Sequence, residues 1–290
     1  MRRRRFIQVV AAAAMARPAF ARADTQRWRG RAMGADVALD LHGATPADLE
    51  AALAEIRAAE AQFSIYDAGS ELSRLNAGGG GAVSGPMAEI LALCDRMHRA
   101  TGGLFDPTVQ PVFAALARGE APPWDRVGWD RVTLRAEAVR LAQGQALTLN
   151  GIAQGFATDR VREVLAARGL SRALVSVGEH SAIGGPFRLG LEDPAQGRIG
   201  TRTLRDGSLA TSSPGALPLD AQHAHILHPR GAVARWSTVS VMARSAALAD
   251  AASTALCLAP LAEAARITRA LGLTTTLVDA DGDVTQLSSV

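Results

Sequence analysis

The amino-acid sequence predicts an α+β fold of mixed sheets with helices packed against them. Short apolar runs of strand type and longer runs at helical spacing both occur along the chain. They are interleaved without strict alternation, which favours α+β. With 290 residues, 48% of them hydrophobic, the chain can bury a sizeable core in one large domain or two small ones, and no internal repeat or interdomain linker divides it.

Trp28 to Leu41 reads as a strand pair that turns at Met33-Gly-Ala, with Val37, Leu39 and Leu41 alternating after the turn. Thr45-Pro46-Ala47-Asp48 starts a helix with a threonine cap, a proline at the first position and an acid in the first turn. Leu49, Leu53, Ile56 and Phe63 form its apolar face, and the helix is expected to give out between Phe63 and Asn76. Tyr66, the only tyrosine, either stacks on a planar ligand or closes a core edge. Gly78 to Gly81 reads as a loop. Pro86 opens a helix whose face includes Met87, Ile90, Leu91, Cys94 and Met97. Two glycines stop it, and Asp106-Pro107 favours a turn in which Asp106 either holds a polar ligand group or acts as the cap. Trp129 to Leu149 alternates like several short strands.

The stretch from Leu147 to Gly185 organises the rest. Leu147 and Leu149 alternate with polar neighbours as on a half-buried strand. Gly151 and Gly155 let the backbone approach something bulky. Ala157, Val161, Val164 and Leu165 repeat at helical spacing, Gly169 ends the helix, and Ala173 to Val177 is a buried strand. This unit is either a ligand-binding turn or an ordinary packed strand–helix–strand element. Beyond it, 187–193, 200–204, 209–212 and 235–243 read as strands, and Ala224 to Gly231 runs from a strand into a turn. Helices follow over 245–258 and 260–271, and a hairpin closes the chain around Ala280-Asp-Gly-Asp283.

Asp250 and Thr254 stand four apart on the helix after Ser245. They therefore share a face and point carboxylate and hydroxyl at one place. Magnesium takes such hard oxygen ligands and keeps others for phosphate; the alternative is a surface Asp and a Thr bonded to its own helix. His225 is either a base or a core histidine.

Six segments, in order, resemble the ApbE family of FAD:protein FMN transferases. They are Met33-Gly; Phe63-Ser-Ile-Tyr-Asp with Ser70-Glu-Leu-Ser-Arg-Leu-Asn76; Gly103-Leu-Phe-Asp-Pro-Thr-Val; Gly151-Ile-Ala-Gln-Gly-Phe-Ala-Thr-Asp-Arg-Val; His225-Ile-Leu-His-Pro; and Val239-Ser-Val with Ala249-Asp-Ala-Ala-Ser-Thr-Ala-Leu. The resemblance implies an α+β domain that binds FAD, its substrate, between two halves. It implies that Mg2+ assists transfer of FMN to a Thr or Ser hydroxyl of an acceptor redox protein, with AMP leaving. By the same resemblance, Asp250, Thr254 and the Ala153 carbonyl are metal ligands, with Ser253 as an extra contact. Met33, Tyr66, Leu104, Phe105, Asp106, Asn150, Phe156 and Ile226 contact FAD, the 104–106 segment on the adenine side, and His225 is the catalytic base.

Several positions depart from the family pattern. Thr148 stands for an aspartate and Gln154 for a lysine in the usual Asp-Leu-Gly-Gly-Ile-Ala-Lys-Gly, and Gly178-Glu179-His180 stands for Gly-Gly-Asp. His228 and Ser213 replace a usual aspartate and glycine. The departures keep two alternatives to the transferase open: a non-catalytic FAD-binding accessory protein and an FAD pyrophosphatase.

All 31 basic residues are arginines. Residues 1–23 read as an export signal ahead of a domain over 24–290, with Arg2 to Arg5, an apolar run from Phe6 to Ala16, and small-residue cleavage patterns around Ala19 to Ala23. Arg3-Arg4-Arg5-Phe6-Ile7-Gln8 resembles the twin-arginine pattern, so the mature chain is expected in the periplasm with no transmembrane span. Residues 1–21 hold five arginines and no acid, so their removal takes the formal charge from +3 to −2 and leaves no basic excess for nucleic acid. Cys94 and Cys257 sit in apolar patterns and are expected as buried free thiols. Replacing Arg3 and Arg4 together by lysine is expected to hold precursor in the cytoplasm on cell fractionation; normal export of the double variant would refute the twin-arginine reading.

Overall fold

The structure, a computed structural model, describes residues 25–289; the expected export signal lies outside the described residues. In chain order the elements are β1 (Thr25–Ala32), β2 (Ala35–His42), α1 (Pro46–Phe63), α2 (Glu71–Gly78), β3 (Gly80–Ala82), α3 (Gly85–Ala100), α4 (Gln110–Ala117), β4 (Thr133–Arg135) and β5 (Ala138–Arg140). Then come α5 (Ala153–Ala167), β6 (Ala173–Val177), β7 (Glu179–Ile183), β8 (Phe187–Asp193), β9 (Gly197–Leu204), β10 (Ser208–Ser212) and β11 (Thr238–Ala243). The last four are α6 (Ala246–Leu256), α7 (Leu261–Ala270), β12 (Thr274–Val278) and β13 (Val284–Ser288).

Eight strands form one antiparallel sheet in the order β1-β2-β6-β7-β10-β11-β12-β13. A three-stranded sheet β3-β5-β4 and the β8–β9 ribbon stand apart from it. This is the expected α+β architecture. The main core joins one face of the large sheet to the helices through residues such as Leu39, Ile90, Leu165 and Leu256. A smaller cluster seats the β8–β9 ribbon, with Leu189 and Leu204 against Ala182 and Leu209.

Local chemistry sets most boundaries. Thr45 and Asp48 form a reciprocal capping box at the start of α1. Ser84 caps α3 and Ser245 caps α6 through their side chains. The β1–β2 hairpin turns through Met33 and Gly34, both at positive φ (51° and 76°), as a two-residue hairpin loop requires. Both cysteines are buried and free, and burial raises both thiols far above their ordinary range.

Four local expectations are corrected. The chain after Phe63 forms a second helix, α2, because the Ser70 hydroxyl caps it and Leu72 and Leu75 bury its inner face. The glycine loop at 78–81 contributes the short strand β3. Leu147 and Leu149 are fully buried but lie outside any strand, because the Asn76 side chain takes both backbone groups of Leu147 and Pro107 takes the amide of Thr148. Residues 224–228 hold a single bridge, Pro218 to Ala224, in place of the expected strand.

Helices α5 and α6 meet at the closest backbone approach around the site. A Cβ on Gly155 would stand 2.3 Å from the Ala246 carbonyl oxygen and 2.7 Å from the Ala247 Cα. Asp159, one turn on, receives the amides of Ala246 (2.8 Å) and Ala247 (2.9 Å) and the Ser245 hydroxyl (2.6 Å). A carboxylate at that helix N-terminus is held by both hydrogen bonds and the helix dipole. Gly155→Ala is expected to cost about 1–3 kcal/mol or more, because backbone must move to admit the methyl. A lowered urea midpoint with an unchanged slope checks it.

Candidate active site

A cavity of about 900 Å³ opens among α1, the β1–β2 turn, the 104–109 turn, the start of α5, β7, β10 and α6. Every site residue expected from sequence lines it except Phe156 and Ser253. Phe156 lies behind the wall, edge to face with Phe63 at 5.6 Å between ring centres, and Phe63 is the ring that reaches the cavity. The reason is helical phase. The close contact with α6 turns Gly155 toward that helix, and Phe156 falls toward α1. Ser253 is also in the wall, bonded to the Asp250 carbonyl and to Ser212, and is not a lining residue.

The mouth carries Tyr66, 68% exposed, with its ring free to lie over a planar group. The main chain behind it turns because the Ser64 hydroxyl accepts the amides of Tyr66 and Asp67. Leu104 and Phe105 supply buried apolar wall. The Asp106 carboxylate is occupied in holding the turn: it accepts the Thr108 amide (2.8 Å) and hydroxyl (2.5 Å) and the Trp129 amide (3.2 Å). Of the two sequence alternatives for Asp106, the capping one accounts for these bonds.

At the inner end, Asp250 is buried and its Oδ2 accepts the Gly155 amide at 3.0 Å. Burial, reinforced by the charge of Asp159, pushes its pKa up to about 7, against the pull of the Gly155 hydrogen bond. Thr254, one turn along α6, has its Oγ1 3.4 Å from Ser212 Oγ. Gly151 leaves the space above it open, since a Cβ there would lie 3.0 Å from Thr254 Oγ1. Among the described residues no group of three or more His, Cys, Asp or Glu is placed to hold a metal. The side-chain donors here are the Asp250 carboxylate and the Thr254 hydroxyl, with Ala153, the first residue of α5, on the same cavity wall. Few, hard oxygen ligands with positions left for phosphate and water fit magnesium.

His225 sits on the opposite wall. Its Nδ1 donates to the Leu217 carbonyl at 3.3 Å, and the Pro214 carbonyl is a second acceptor beside the ring. Burial lowers its pKa, with the carbonyls of Leu217 and Pro214 acting in the other direction. The lowered pKa favours the neutral imidazole, the state a general base needs.

The departures from the family pattern have defined places. The Gln154 amide donates to the Met33 carbonyl at 3.1 Å, while Glu60 accepts the Met33 amide at 2.9 Å. Together they fix a non-glycine residue at positive φ beside the cavity. Gly178, at φ 82°, lies against Gln154, and a Cβ there would stand 2.4 Å from Gln154 Oε1. Glu179 lines the cavity and is buried; burial first, then the charge of Asp250, raise its pKa well above the ordinary carboxylate range. His180 is held near pKa 4 by burial, and its Nδ1 has no hydrogen-bond partner. The sequence reading passed over Glu60, Asp159 and Ser212. Asp159 is the most legible of them, an acid within the Gly155-Phe-Ala-Thr-Asp run.

The model of the ApbE family matches residues 33–278. A FAD:protein FMN transferase of Haemophilus influenzae is 29% identical over 178 residues, 52% of this chain and 51% of that protein. One of Rhodobacter capsulatus is 30% identical over 210 residues, 63% of this chain and 40% of that protein, so the chain spans about half the length, or less, of these curated relatives. The crystal structure of the ApbE protein of Thermotoga maritima superposes with a TM-score of 0.82 at 22% identity, covering 91% of this chain and 97% of that one. The fold is shared across that likeness, and the family match runs from the β1–β2 turn to the last residue of β12. The cavity and the elements that build it all lie within these limits, and the chain belongs to the ApbE family.

Proposed function

We propose that this protein transfers FMN from FAD to a Thr or Ser hydroxyl of an exported redox protein and releases AMP, with magnesium at Asp250, Thr254 and the Ala153 carbonyl. The reading rests above all on one observation: Asp250, Thr254 and His225 converge on a single cavity, with an exposed aromatic ring at its mouth. The names of the curated relatives support the same reaction. The leader, read as a twin-arginine signal, supports a periplasmic location.

In this reading Tyr66 and the apolar wall at Leu104 and Phe105 bind and orient FAD, with Met33, Asn150 and Ile226 beside it. Bound magnesium supplies positive charge to the phosphate oxygens. His225 Nε2 takes the proton of the acceptor hydroxyl. The hydroxyl oxygen forms a bond to the FMN phosphorus, and the bond from that phosphorus to the bridging oxygen breaks. The bridging oxygen leaves with AMP. Among the described residues no arginine lines the cavity, so neutralisation of the diphosphate falls to the cation rather than to side chains.

The deciding experiment incubates residues 24–290 with FAD, magnesium and a candidate periplasmic acceptor. Covalent flavin fluorescence on a denaturing gel, with stoichiometric AMP, supports the transferase. FMN and AMP without labelled protein would instead favour a pyrophosphatase, and intact bound FAD a non-catalytic binder.

Asp250→Asn keeps an acceptor for the Gly155 amide and removes the charge. It is expected to slow transfer on the order of a thousandfold, because several kcal/mol of transition-state stabilisation go with the cation. Thr254→Ala should cost less, since a neutral hydroxyl is a weaker ligand. Single-turnover rates at saturating FAD measure both.

The metal-free protein has a pH dependence of definite sign. The pKa of Asp250 is raised in the fold, so the folded state binds its proton more tightly than the unfolded chain does. Stability from this group is fully present below its unfolded pKa and is lost as pH climbs through about 7. Melting in EDTA should therefore move to lower temperature between about pH 5 and pH 8, with a flatter slope in Asp250→Asn. Saturating magnesium, which binds the carboxylate form, should raise the alkaline end. An equal slope in wild type and variant would contradict the assignment.

A further inference from the structure

We propose that Glu179 is a second carboxylate ligand of the cation held at Asp250 and Thr254. The inference rests on the reading of that site as a magnesium site and adds a residue that stands where the family pattern has glycine. Glu179 opens β7 and is 7% exposed, on the cavity wall. Its Oε2 accepts the amide of Thr211 at 3.1 Å. The next residue of β10, Ser212, turns its hydroxyl to Thr254 Oγ1 at 3.4 Å. Successive residues of β10, the first through its backbone and the second through its side chain, thus tie Glu179 and Thr254 to the same end of that strand, and both line the cavity. Asp250 stands one turn before Thr254 on α6, and it lines the same cavity as Glu179.

Charge balance supplies the rest. Of the four buried carboxylates on the cavity wall, Asp106 and Asp193 are each held by several hydrogen bonds, whereas Glu179 and Asp250 each accept one amide and, among the described residues, stand in no ion pair. The lysine of the usual family pattern is Gln154 here, and its side chain is taken by Met33. Buried carboxylates without a cationic side chain are neutralised by protons or by a metal ion. One divalent cation between two carboxylates gives a neutral site, and magnesium accepts one or two carboxylates while leaving positions for phosphate. The aspartates of the usual pattern at 148 and 180 are Thr148 and His180 here, so Glu179 keeps one carboxylate among these positions and places it on the cavity wall.

The test is a titration of metal-free protein with Mn2+, followed by electron paramagnetic resonance, without FAD or acceptor. Glu179→Gln is expected to weaken Mn2+ binding at least tenfold. Its melting temperature in EDTA at pH 8 should equal or exceed that of wild type, because a buried repulsion is gone. Glu179→Asp, which keeps the charge with a shorter reach, should fall between the two in Mn2+ affinity and gives the answer if the glutamine variant does not fold. Wild-type affinity in both folded variants, or in the aspartate variant alone if only it folds, would overturn the proposal. So would a wild-type protein that binds no Mn2+ with or without FAD. Because the readout needs no turnover, a protein that binds Mn2+ through Glu179 but transfers no FMN keeps this inference and loses the proposed reaction. Transfer with Mn2+ affinity unchanged in the variants gives the reverse.

Discussion

The site depends on the backbone contact between α5 and α6. Gly155 has no side chain, so the two helices meet at Ala246 and Ala247. That closeness lets Asp159 reach the first amides of α6 and lets the Gly155 amide reach Asp250. Each helix therefore caps or fills a polar group of the other. A helix fixed at its N-terminus has its next two turns fixed as well, and those turns carry Asp250 and Thr254. Glycine at 155 thus serves the site twice, by admitting α6 and by donating its amide to Asp250.

Electrostatics follows from that packing. Asp250 and Glu179 are both buried on the cavity wall, and burial is the first cause of the raised pKa of each; the charge of Asp159 adds to it at Asp250 and the charge of Asp250 adds to it at Glu179. Nothing in the hydrophobic core requires acids at these places. Buried carboxylates without a cationic partner destabilise a fold, and buried titratable groups on a cavity wall are a common signature of functional sites. His225, its neutral form favoured by burial and its ring oriented by a backbone carbonyl, faces the same space with the opposite proton requirement.

The Met33-Gly34 turn shows how a changed residue can be absorbed. Met33 holds a left-handed conformation that β-turns of this kind normally assign to Asn, Asp or Gly. Glu60 and Gln154 grip its amide and carbonyl, and Gly178 packs directly on Gln154. Glutamine in place of lysine at 154 is therefore a structural tie between α5 and the first hairpin, and the glycine at 178 is the space that tie needs.

The sequence by itself determined the features that depend on neighbours along the chain. The capping box at Thr45, the stop after Thr101, the hairpin at Met33-Gly34 and the i, i+4 placement of Asp250 and Thr254 are local, and they appear where the residue types put them. The order of the family segments likewise announced which residues would share a cavity. Tertiary structure decided what depends on partners far away. Leu147 and Leu149 alternate like a strand, yet no ladder forms, because the Asn76 side chain, 71 residues away, takes the backbone groups. Phe156 belongs to a motif that lines the cavity, but the contact between α5 and α6 sets the phase of the helix and turns its ring inward. Asp159 caps a helix 86 residues further on, and Glu179 confronts Asp250 only because β7, β10 and α6 meet. Propensity and spacing specify which side chains a short segment can present. Packing between distant segments specifies which of them meet, and charge and burial at that meeting point set their chemistry.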